Sequence, residues 1–391
     1  MTTSSPPPSV VERLRHDLHR IPAWGYDTVL AFTVLAMVLT SGALRINDWI
    51  YYRAGARLLF GNVGLNLYAV RPGIQIGPLA LAFAAPLDAL GNGSKVPGSI
   101  LAAALLIPAL ALTRAVARDA LGATLVERTL LPGTLLVALG WFTIVAIGQY
   151  GDALALVGTL VAMRQLQLGR PAIAGVAFAL GVAAKPWTFA ALPVLLLAPG
   201  RGRVRAMVAA AVVIAATWLP FVISDHRTLH AGRAVYVVPP DAWQRLVGIG
   251  DVGPWWWRAA QLLVCWLVAL PWVVRAGRTG DFSVGVIEVA AITALVRLMT
   301  ELGTWGYYVA AALPLVLGLE LVRRSGRFPT ATALLCVAIV NLEPVIGGTA
   351  AAIIRLALLV AALVVCVRAT NAYAVQMPLP GNSQNPGQRL T

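Results

Sequence analysis

Apolar runs and short polar segments alternate along the whole of this 391-residue chain. The runs are roughly 15 to 20 residues long, which is about the length of an α-helix that crosses a bilayer. A helix satisfies its backbone amides internally within hydrocarbon, whereas strands of a membrane barrel would alternate polar and apolar residues. The pattern predicts an all-α fold, a polytopic transmembrane helical bundle of about 12–13 membrane segments. The predicted segments fall roughly at residues 28–46, 73–90, 99–117, 130–147, 152–166, 171–185, 186–199, 206–222, 257–274, 284–300, 305–322, 329–342 and 350–367.

Arginine clusters between the segments set the predicted orientation, because cytoplasmic loops of membrane proteins are enriched in basic residues. All of these clusters lie on the cytoplasmic side only if residues 47–98 begin and end outside. Segment 73–90 is then a re-entrant hairpin or a juxtamembrane helix without a net crossing, and Pro78 offers a break in it. A full crossing, which would turn the cluster at 114–128 outward, is the alternative.

These borders divide the chain into three regions. Residues 1–27 are predicted to be a cytoplasmic tail, residues 28–367 the transmembrane domain and residues 368–391 a disordered cytoplasmic tail. Within the transmembrane domain, residues 47–72 are expected to form an outer juxtamembrane helix and loop, and residues 223–256 an outer loop.

Composition changes this picture little. The chain is 59% hydrophobic and 12% charged, with a mean hydropathy of +0.78, which excludes an ordinary soluble domain. The basic residues behind its net charge of +14 lie in clusters between apolar runs rather than on one basic face. The enrichment of cytoplasmic loops in basic residues accounts for this charge, so no nucleic-acid partner is expected. The three cysteines, Cys265, Cys336 and Cys366, lie within apolar runs and are predicted to be buried hydrophobes rather than disulfides or metal ligands.

Polar residues at membrane depth are costly and mark a functional site by default. Asp48 opens the amphipathic stretch "DWIYYRAGARLLFG", in which Tyr51 and Tyr52 lie on the same helical face as the acid. The stretch is expected to lie flat in the outer interface with its aromatic rings at headgroup depth. Asp48 is either the N-cap of this helix or a functional carboxylate, and the two roles are compatible.

Two further segments carry polar side chains to the same face. In "AIGQYGDAL", Gln149 and Asp152 are candidates for binding a sugar, and a simple helix–helix turn with Asp152 capping the next helix is the alternative. In "AAKPW", Lys185 precedes a helix-breaking proline. A lysine at a broken helix suits a phosphate, and a lysine that snorkels to the interface is the alternative.

The late segment "RLMTELGTWGYYVAAALP" supplies the other candidates. Arg297 lies one helical turn from Glu301, so the two either form an intrahelical ion pair or serve a site. Trp305, Tyr307 and Tyr308 form either an aromatic belt or a binding platform.

The loop at 223–256 is a candidate lid or acceptor-binding loop. It carries His226, His230, Asp241, Asp251 and a tryptophan run that includes Trp255. The histidine pair has i, i+4 spacing but no third ligand nearby, so no metal site is assigned.

The order of these motifs resembles glycosyltransferase family 87, the actinobacterial polyprenol-phosphate-mannose-dependent mannosyltransferases. The similarity covers about residues 28–320. It rests on a first helix that ends in an acid, then "YYRAGARLLFG" followed by "LY", "GPLALAFAAPL", "IGQYGDAL", "GRPAIAGVAFALGVAAKPWTFAALPVLLL" and "TWGYYVAAALPLVL". The resemblance implies a membrane-embedded C-type glycosyltransferase fold with a catalytic acid just after the first helix, a place that only Asp48 occupies.

The resemblance also implies an enzyme of the plasma membrane whose active site faces the outer (periplasmic) side. Its donor would be a polyprenyl-phosphate-linked sugar, with mannose favoured and arabinose the alternative, and its acceptor a glycolipid or polysaccharide. Asp48 would act as general base in an inverting transfer. From the chemistry of the leaving anion rather than from the resemblance, Lys185 and Arg297 are expected to bind the donor phosphate. The expected substrate-binding residues are Tyr51, Tyr52, Gln149, Asp152, Glu301, Trp305, Tyr307 and Tyr308.

No cofactor is expected, since a donor that already carries phosphate needs no nucleotide and the chain has no phosphate-cradling glycine loop. The acids Asp48, Asp152 and Glu301 leave a divalent cation open. Two alternatives to an enzymatic function remain open. One is a flippase or transporter of a lipid-linked sugar, and the other is a non-catalytic subunit of a cell-envelope assembly.

Overall fold

The structure is a computed structural model that describes residues 23–41, 48–122, 127–231, 242–250, 253–254, 256–303, 305–340 and 343–374. These residues form α-helices and 3-10 helices, and they contain no strand. The α-helices are α1 Ala23–Thr40, α2 Trp49–Leu59, α3 Leu67–Val70, α4 Pro78–Gly91, α5 Val96–Ala104, α6 Leu106–Leu121, α7 Glu127–Ile147, α8 Tyr150–Gln167, α9 Pro171–Ala184, α10 Gly202–Ser224, α11 Trp257–Thr279, α12 Phe282–Thr300, α13 Gly306–Arg323, α14 Thr330–Ala338, α15 Glu343–Ile346 and α16 Gly348–Ala374. The 3-10 helices are Gly64–Asn66, Pro186–Leu197, His226–His230 and Trp243–Val247.

Seven helices in the described part of the chain are long and apolar enough to cross a membrane, judged by length and composition alone. They are Val96–Leu121, Thr129–Ile147, Gly202–Ser224, Trp257–Thr279, Phe282–Thr300, Gly306–Arg323 and Gly348–Asn371. Four shorter apolar helices accompany them, namely Gly25–Thr40, Pro78–Gly91, Pro171–Ala184 and Pro186–Leu197. An all-α, multi-pass bundle is therefore confirmed, whereas the count of about 12–13 membrane segments stays a prediction.

The helical part extends past both predicted borders of the transmembrane domain. The first helix begins at Ala23 rather than at residue 28, and the last continues to Ala374 rather than ending at residue 367. The predicted segment 186–199 is helical but forms a 3-10 helix, Pro186–Leu197. Its two prolines, Pro186 and Pro193, lack the backbone N–H groups that a continuous α-helix would need.

The core lies around α12 and α13, whose apolar windows are each 78% buried, against 17% for α10 and 22% for α11 at the periphery. The middles of the helices pack apolar side chains that are fully buried, for example Leu156, Phe178, Ile292 and Leu313. Close packing of this kind drives association in lipid, where helices gain nothing by leaving water.

One end of the bundle collects buried ion pairs, and we call it the basic end. The buried Asp27 carboxylate pairs with Arg114, and Glu288 pairs with both Arg275 and Arg323. Each of these acids is almost completely enclosed, so its paired arginine prevents an uncompensated buried charge. Arg114, Arg275 and Arg323, each from a different arginine cluster, therefore lie at the same end of the described part of the bundle, as the charge rule predicts.

Helix α4 does not run between the two ends of the bundle. Just before it, the amide of Gly77 donates a hydrogen bond of 3.0 Å to the carbonyl of Ala184 at the end of α9. Just after it, Lys95 Nζ donates a hydrogen bond of 2.7 Å to the carbonyl of Ala146 near the end of α7. Both ends of α4 thus lie at the end of the bundle opposite the basic end, which we call the cavity end. A segment without a net crossing has this arrangement.

Candidate functional site

A cavity of about 800 Å³ lies at the cavity end. Its lining residues are Asp48, Tyr51, Ala54, Leu58, Val70, Arg71, Pro72, Gly73, Ile74, Gln75, Ile76, Gln149, Lys185, Arg258, Glu301, Gly303, Trp305, Tyr307 and Tyr308. The cavity reaches the protein surface where Tyr51, Val70 and Trp305 are exposed. The apolar part of the lining, which we call the apolar wall, consists of Ala54, Leu58, Val70, Pro72, Ile74 and Ile76. The charged part, which we call the polar wall, consists of Asp48, Arg71, Lys185, Arg258 and Glu301.

Asp48 occupies the N-cap position of α2, but its carboxylate does not cap the helix. Instead, Asp48 Oδ2 accepts a hydrogen bond of 2.9 Å from Gln149 Nε2. Asp48 is therefore at the N-cap position, as the capping alternative predicts, but its side chain does not make the hydrogen bond of a cap. The carboxylate is partly buried and available to the cavity.

Gln149 is held on its other side by Tyr52. The Tyr52 hydroxyl donates a hydrogen bond of 2.7 Å to Gln149 Oε1, and its ring packs against Tyr150 at 4.8 Å between centroids. Burial raises the pKa of Tyr52 well above its usual value, so the hydroxyl keeps its proton and can only orient the amide one way. Tyr52 itself does not line the cavity, so it supports Gln149 from behind.

Lys95 adds a positive charge near Asp48. The ammonium group is buried and lies close enough to the carboxylate for the two charges to interact. Burial lowers the pKa of Lys95 to about 8, while the Asp48 carboxylate opposes that shift.

Asp152 and Lys185 form a buried ion pair behind the cavity wall. Lys185 Nζ lies 3.4 Å from Asp152 Oδ2, and Trp187 Nε1 donates a hydrogen bond of 2.6 Å to Asp152 Oδ1. Asp152 does not serve as the N-cap of α8, a position that Gln149 holds. Lys185 does not snorkel to the surface either, since it is 5% exposed and lines the cavity.

Arg297 and Glu301 form the intrahelical pair that their spacing allows, with 2.9 Å between Arg297 Nη2 and Glu301 Oε2. The Arg297 guanidinium also lies between two aromatic rings, 4.6 Å from the Trp187 centroid and 4.7 Å from that of Tyr308. These contacts leave Arg297 4% exposed, and it does not line the cavity.

Arg258 lines the cavity but was not predicted as a site residue. It lies in the first turn of α11 and pairs with Glu301 Oε1. It also donates hydrogen bonds of 3.0 Å to Gln261 Oε1 and 3.2 Å to Gln75 Oε1. Burial alone would raise the pKa of Glu301, but Arg258 and Arg297 hold that pKa below its usual value. The signal in the sequence is a lone arginine at the cavity end of an apolar span.

The aromatic candidates differ in their access to the cavity. Tyr307 and Tyr308 both line it and meet edge to face, with 4.5 Å between ring centroids. Trp305 and Tyr51 line it near the surface, where both are exposed. Of the predicted site residues, the cavity is lined by Asp48, Tyr51, Gln149, Lys185, Glu301, Trp305, Tyr307 and Tyr308. Tyr52, Asp152 and Arg297 instead support these residues from behind.

The loop candidates contribute nothing to the cavity in the part of the chain that the structure describes. His226 and His230 are exposed on the 3-10 helix His226–His230. Asp241, Asp251 and Trp255 lie outside the described residues. Among the described residues, no group of three or more His, Cys, Asp or Glu side chains is placed to hold a metal ion.

The site thus places a carboxylate and a set of paired cations on one cavity with an apolar wall. Such an arrangement can accept a proton at one point and hold an anion at another. No protein-family model matches the sequence, and no curated protein or solved structure matches it significantly.

Proposed function

We propose that this protein is a membrane glycosyltransferase. It would move a sugar, with mannose favoured over arabinose, from a polyprenyl-phosphate donor to a glycolipid or polysaccharide acceptor. The observation that carries this proposal is that Asp48, Lys185 and Arg258 all line the same cavity. A transfer of this kind needs a base for the acceptor, a cation for the phosphate and an apolar surface for the lipid. All three requirements have counterparts among the residues that line the cavity.

Asp48 is the proposed general base. Its carboxylate would take the proton of the acceptor hydroxyl as that oxygen attacks the anomeric carbon. The bond between that carbon and the phosphate oxygen breaks as the new bond forms, so attack from the far side inverts the configuration. The hydrogen bond from Gln149 supports this role, because it fixes one carboxylate oxygen and leaves the other for the acceptor.

The lipid phosphate leaves as an anion, and cations near the polar wall would stabilise it. Lys185 lines the cavity and is proposed to contact the phosphate. Arg297, the second predicted phosphate-binding residue, is enclosed by Trp187 and Tyr308. We therefore propose that Arg297 contributes its charge from behind the Tyr308 ring.

The remaining lining residues suit the other parts of the substrates. Tyr307, Tyr308 and Trp305 offer ring faces on which a sugar can stack. Ala54 and Leu58 on α2, with Val70 beyond them, offer an apolar surface for the isoprenoid chain. A C-type fold and an active site at the outer face of the plasma membrane belong to the same proposal, supported by the short helix α2 that follows the first apolar helix.

The decisive experiment replaces Asp48 with asparagine in the full-length protein. Sugar transfer is followed in membranes supplied with polyprenyl-phosphate mannose or arabinose. We expect turnover to fall by about 10²- to 10⁴-fold, the usual contribution of a general base, with donor binding retained. Asp119→Asn is the matched control, since Asp119 pairs with the partly exposed Arg164 away from the cavity. Wild-type turnover in the Asp48→Asn protein would remove the base assignment.

The same experiment separates the enzyme from the transporter alternative. A flippase would move the intact lipid-linked sugar across reconstituted vesicles with no new glycosidic bond. Movement without bond formation in the wild-type protein would favour transport. Formation of a glycosylated acceptor that depends on Asp48 would favour the enzyme.

A further inference from the structure

We propose that Arg258, alongside Lys185, binds the donor phosphate directly, and that Glu301 and Arg297 are its positioning residues. This assignment deepens the proposed function and rests on it for the identity of the ligand, a lipid that ends in a phosphate. It departs from the sequence-based expectation, which named Lys185 and Arg297 and did not include Arg258.

The first step of the argument is the balance of charge around Glu301. This carboxylate is 1% exposed and pairs with two guanidinium groups, those of Arg258 and Arg297. One negative charge therefore faces two positive charges. The nearby Lys185 has its own acid, Asp152, at 3.4 Å. Arg71 also lines the cavity but is exposed to solvent, so the surplus positive charge among the enclosed residues belongs to the two arginines that share Glu301.

The second step decides which of the two arginines carries that surplus to a ligand. Arg297 lies between the rings of Trp187 and Tyr308, and its side chain is 5% exposed. The Arg258 side chain is 25% exposed and lines the cavity. Arg258 is therefore the guanidinium that an anion in the cavity can reach.

The third step concerns geometry. A guanidinium presents several N–H groups in a planar fork that matches the oxygens of a phosphate. Glu301, Gln261 and Gln75 accept hydrogen bonds from Arg258 and fix the plane of this fork. Gln75 belongs to the segment that forms the cavity wall, so the phosphate subsite and the apolar wall are joined through Arg258.

The test measures binding of undecaprenyl phosphate, with undecaprenol as the uncharged probe, to the full-length protein in detergent micelles. Without a sugar on the probe, only the phosphate and lipid contacts are measured. We expect Arg258→Gln to weaken undecaprenyl phosphate binding by at least about 10-fold, in the range of one lost charge-assisted hydrogen bond. Undecaprenol binding should stay as in wild type.

Three further variants sharpen the test. Arg71→Gln is the matched control, because Arg71 also lines the cavity but is exposed, and we expect its effect to stay below about 3-fold. Arg258→Lys keeps the charge and should bind with intermediate affinity, which covers the case in which Arg258→Gln does not fold. Glu301→Gln keeps an acceptor oxygen that can position Arg258 but removes the competing negative charge, so it should bind undecaprenyl phosphate as tightly as wild type or more tightly.

Two results would overturn the assignment. One is wild-type affinity for undecaprenyl phosphate in Arg258→Gln, and the other is an equal loss of undecaprenol binding, which would report damage to the cavity rather than a lost phosphate contact. The proposed function fails separately, if the wild-type protein binds the lipid phosphate but forms no glycosidic bond with any sugar donor supplied.

Discussion

The side-chain amide of Gln149 donates a hydrogen bond of 2.9 Å to the carboxylate of Asp48, although the two residues are 101 positions apart in the chain. The contact joins the start of α2 to the turn between α7 and α8. It makes the orientation of the proposed base depend on a residue from a distant part of the sequence.

Replacing Gln149 with alanine should lower kcat by up to roughly 100-fold, because the base would lose its fixed orientation. The KM for the donor should change little, since the lipid contacts are elsewhere. Tyr52→Phe removes the hydrogen bond behind Gln149 and should have a smaller effect in the same direction. Gln165→Ala near the other end of α8 is the control and should keep wild-type kcat. Equal kcat values in Gln149→Ala and Gln165→Ala would contradict the orienting role.

Asp152→Ala should destabilise the protein by about 3–5 kcal/mol, because it leaves the buried Lys185 ammonium without its acid. The measurement is thermal unfolding in detergent. The double variant Asp152→Asn with Lys185→Met removes both charges and should recover most of the lost stability. It should not recover turnover, because the proposed phosphate contact is also gone. A double variant no more stable than Asp152→Ala would show that the ion pair is not the cause.

Gly77→Ala should distort the cavity wall. A Cβ at this position would lie 2.1 Å from the carbonyl oxygen of Ala183, a backbone atom that cannot rotate away. We expect a lower unfolding midpoint and weaker lipid binding, because residues 72–76 line the cavity and lead directly into this contact. Gly277→Ala is the control, since a Cβ there meets nothing within 4 Å. The control should be neutral or slightly stabilising, by up to about 1 kcal/mol, as a helical glycine is replaced. Identical behaviour of the two variants would contradict the close contact.

Lys95 should make stability rise with pH above about 8. Its pKa in the folded protein is about 8, below the ordinary value of 10.5 for a lysine, which applies to the unfolded chain. Between these values the unfolded state binds a proton that the folded state does not, so the free energy of unfolding increases with pH. Between about pH 8 and about pH 10 the increase attributable to Lys95 is about 2 kcal/mol.

The measurement compares wild type with Lys95→Met, and the difference between their pH profiles isolates Lys95 from other groups that titrate in this range. The Lys95→Met profile should rise less steeply. Parallel profiles for the two proteins would mean that burial does not shift the pKa of Lys95.

Cysteine labelling tests which side of the membrane the cavity end faces. Leu90, at the C-terminal end of α4, is 80% exposed, and Arg170, between α8 and α9, is exposed at the other end of the bundle. Under the proposed topology an impermeant thiol reagent should label Leu90→Cys in intact cells and leave Arg170→Cys unlabelled until the membrane is opened. The reverse pattern would place the cavity on the cytoplasmic side.

The sequence predicted the helices and much of the cavity lining because both depend on local signals. Hydrophobic runs mark the helices, and a carboxylate or lysine at a helix break stands out against an apolar background. The predicted set around Asp48, Lys185 and Tyr308 therefore converges on one cavity. The absence of a net crossing in segment 73–90 is predicted from the side of the membrane to which each arginine cluster is assigned, and that assignment also uses the sequence alone.

The sequence could not predict which charged side chains face the cavity, because that depends on packing between helices. Arg297 and Arg258 each pair with Glu301, and only the rings of Trp187 and Tyr308 decide that Arg297 is the enclosed one. Asp152 could not be distinguished from a helix cap until its contact with Lys185 was known. Arg258 resembled an ordinary interfacial arginine at the start of a span.

Residues in the apolar middle of the bundle should be replaced among related chains far more freely than residues at its cavity end. A buried leucine such as Leu156 can be exchanged for a residue of similar volume at a cost below about 1.5 kcal/mol. A paired charge such as Lys185 cannot be exchanged so freely, because its partner Asp152 would remain buried without a counter-charge. We expect homologues to share a few polar positions while their apolar positions vary. Overall sequence identity should therefore be lost before the residues of the cavity change.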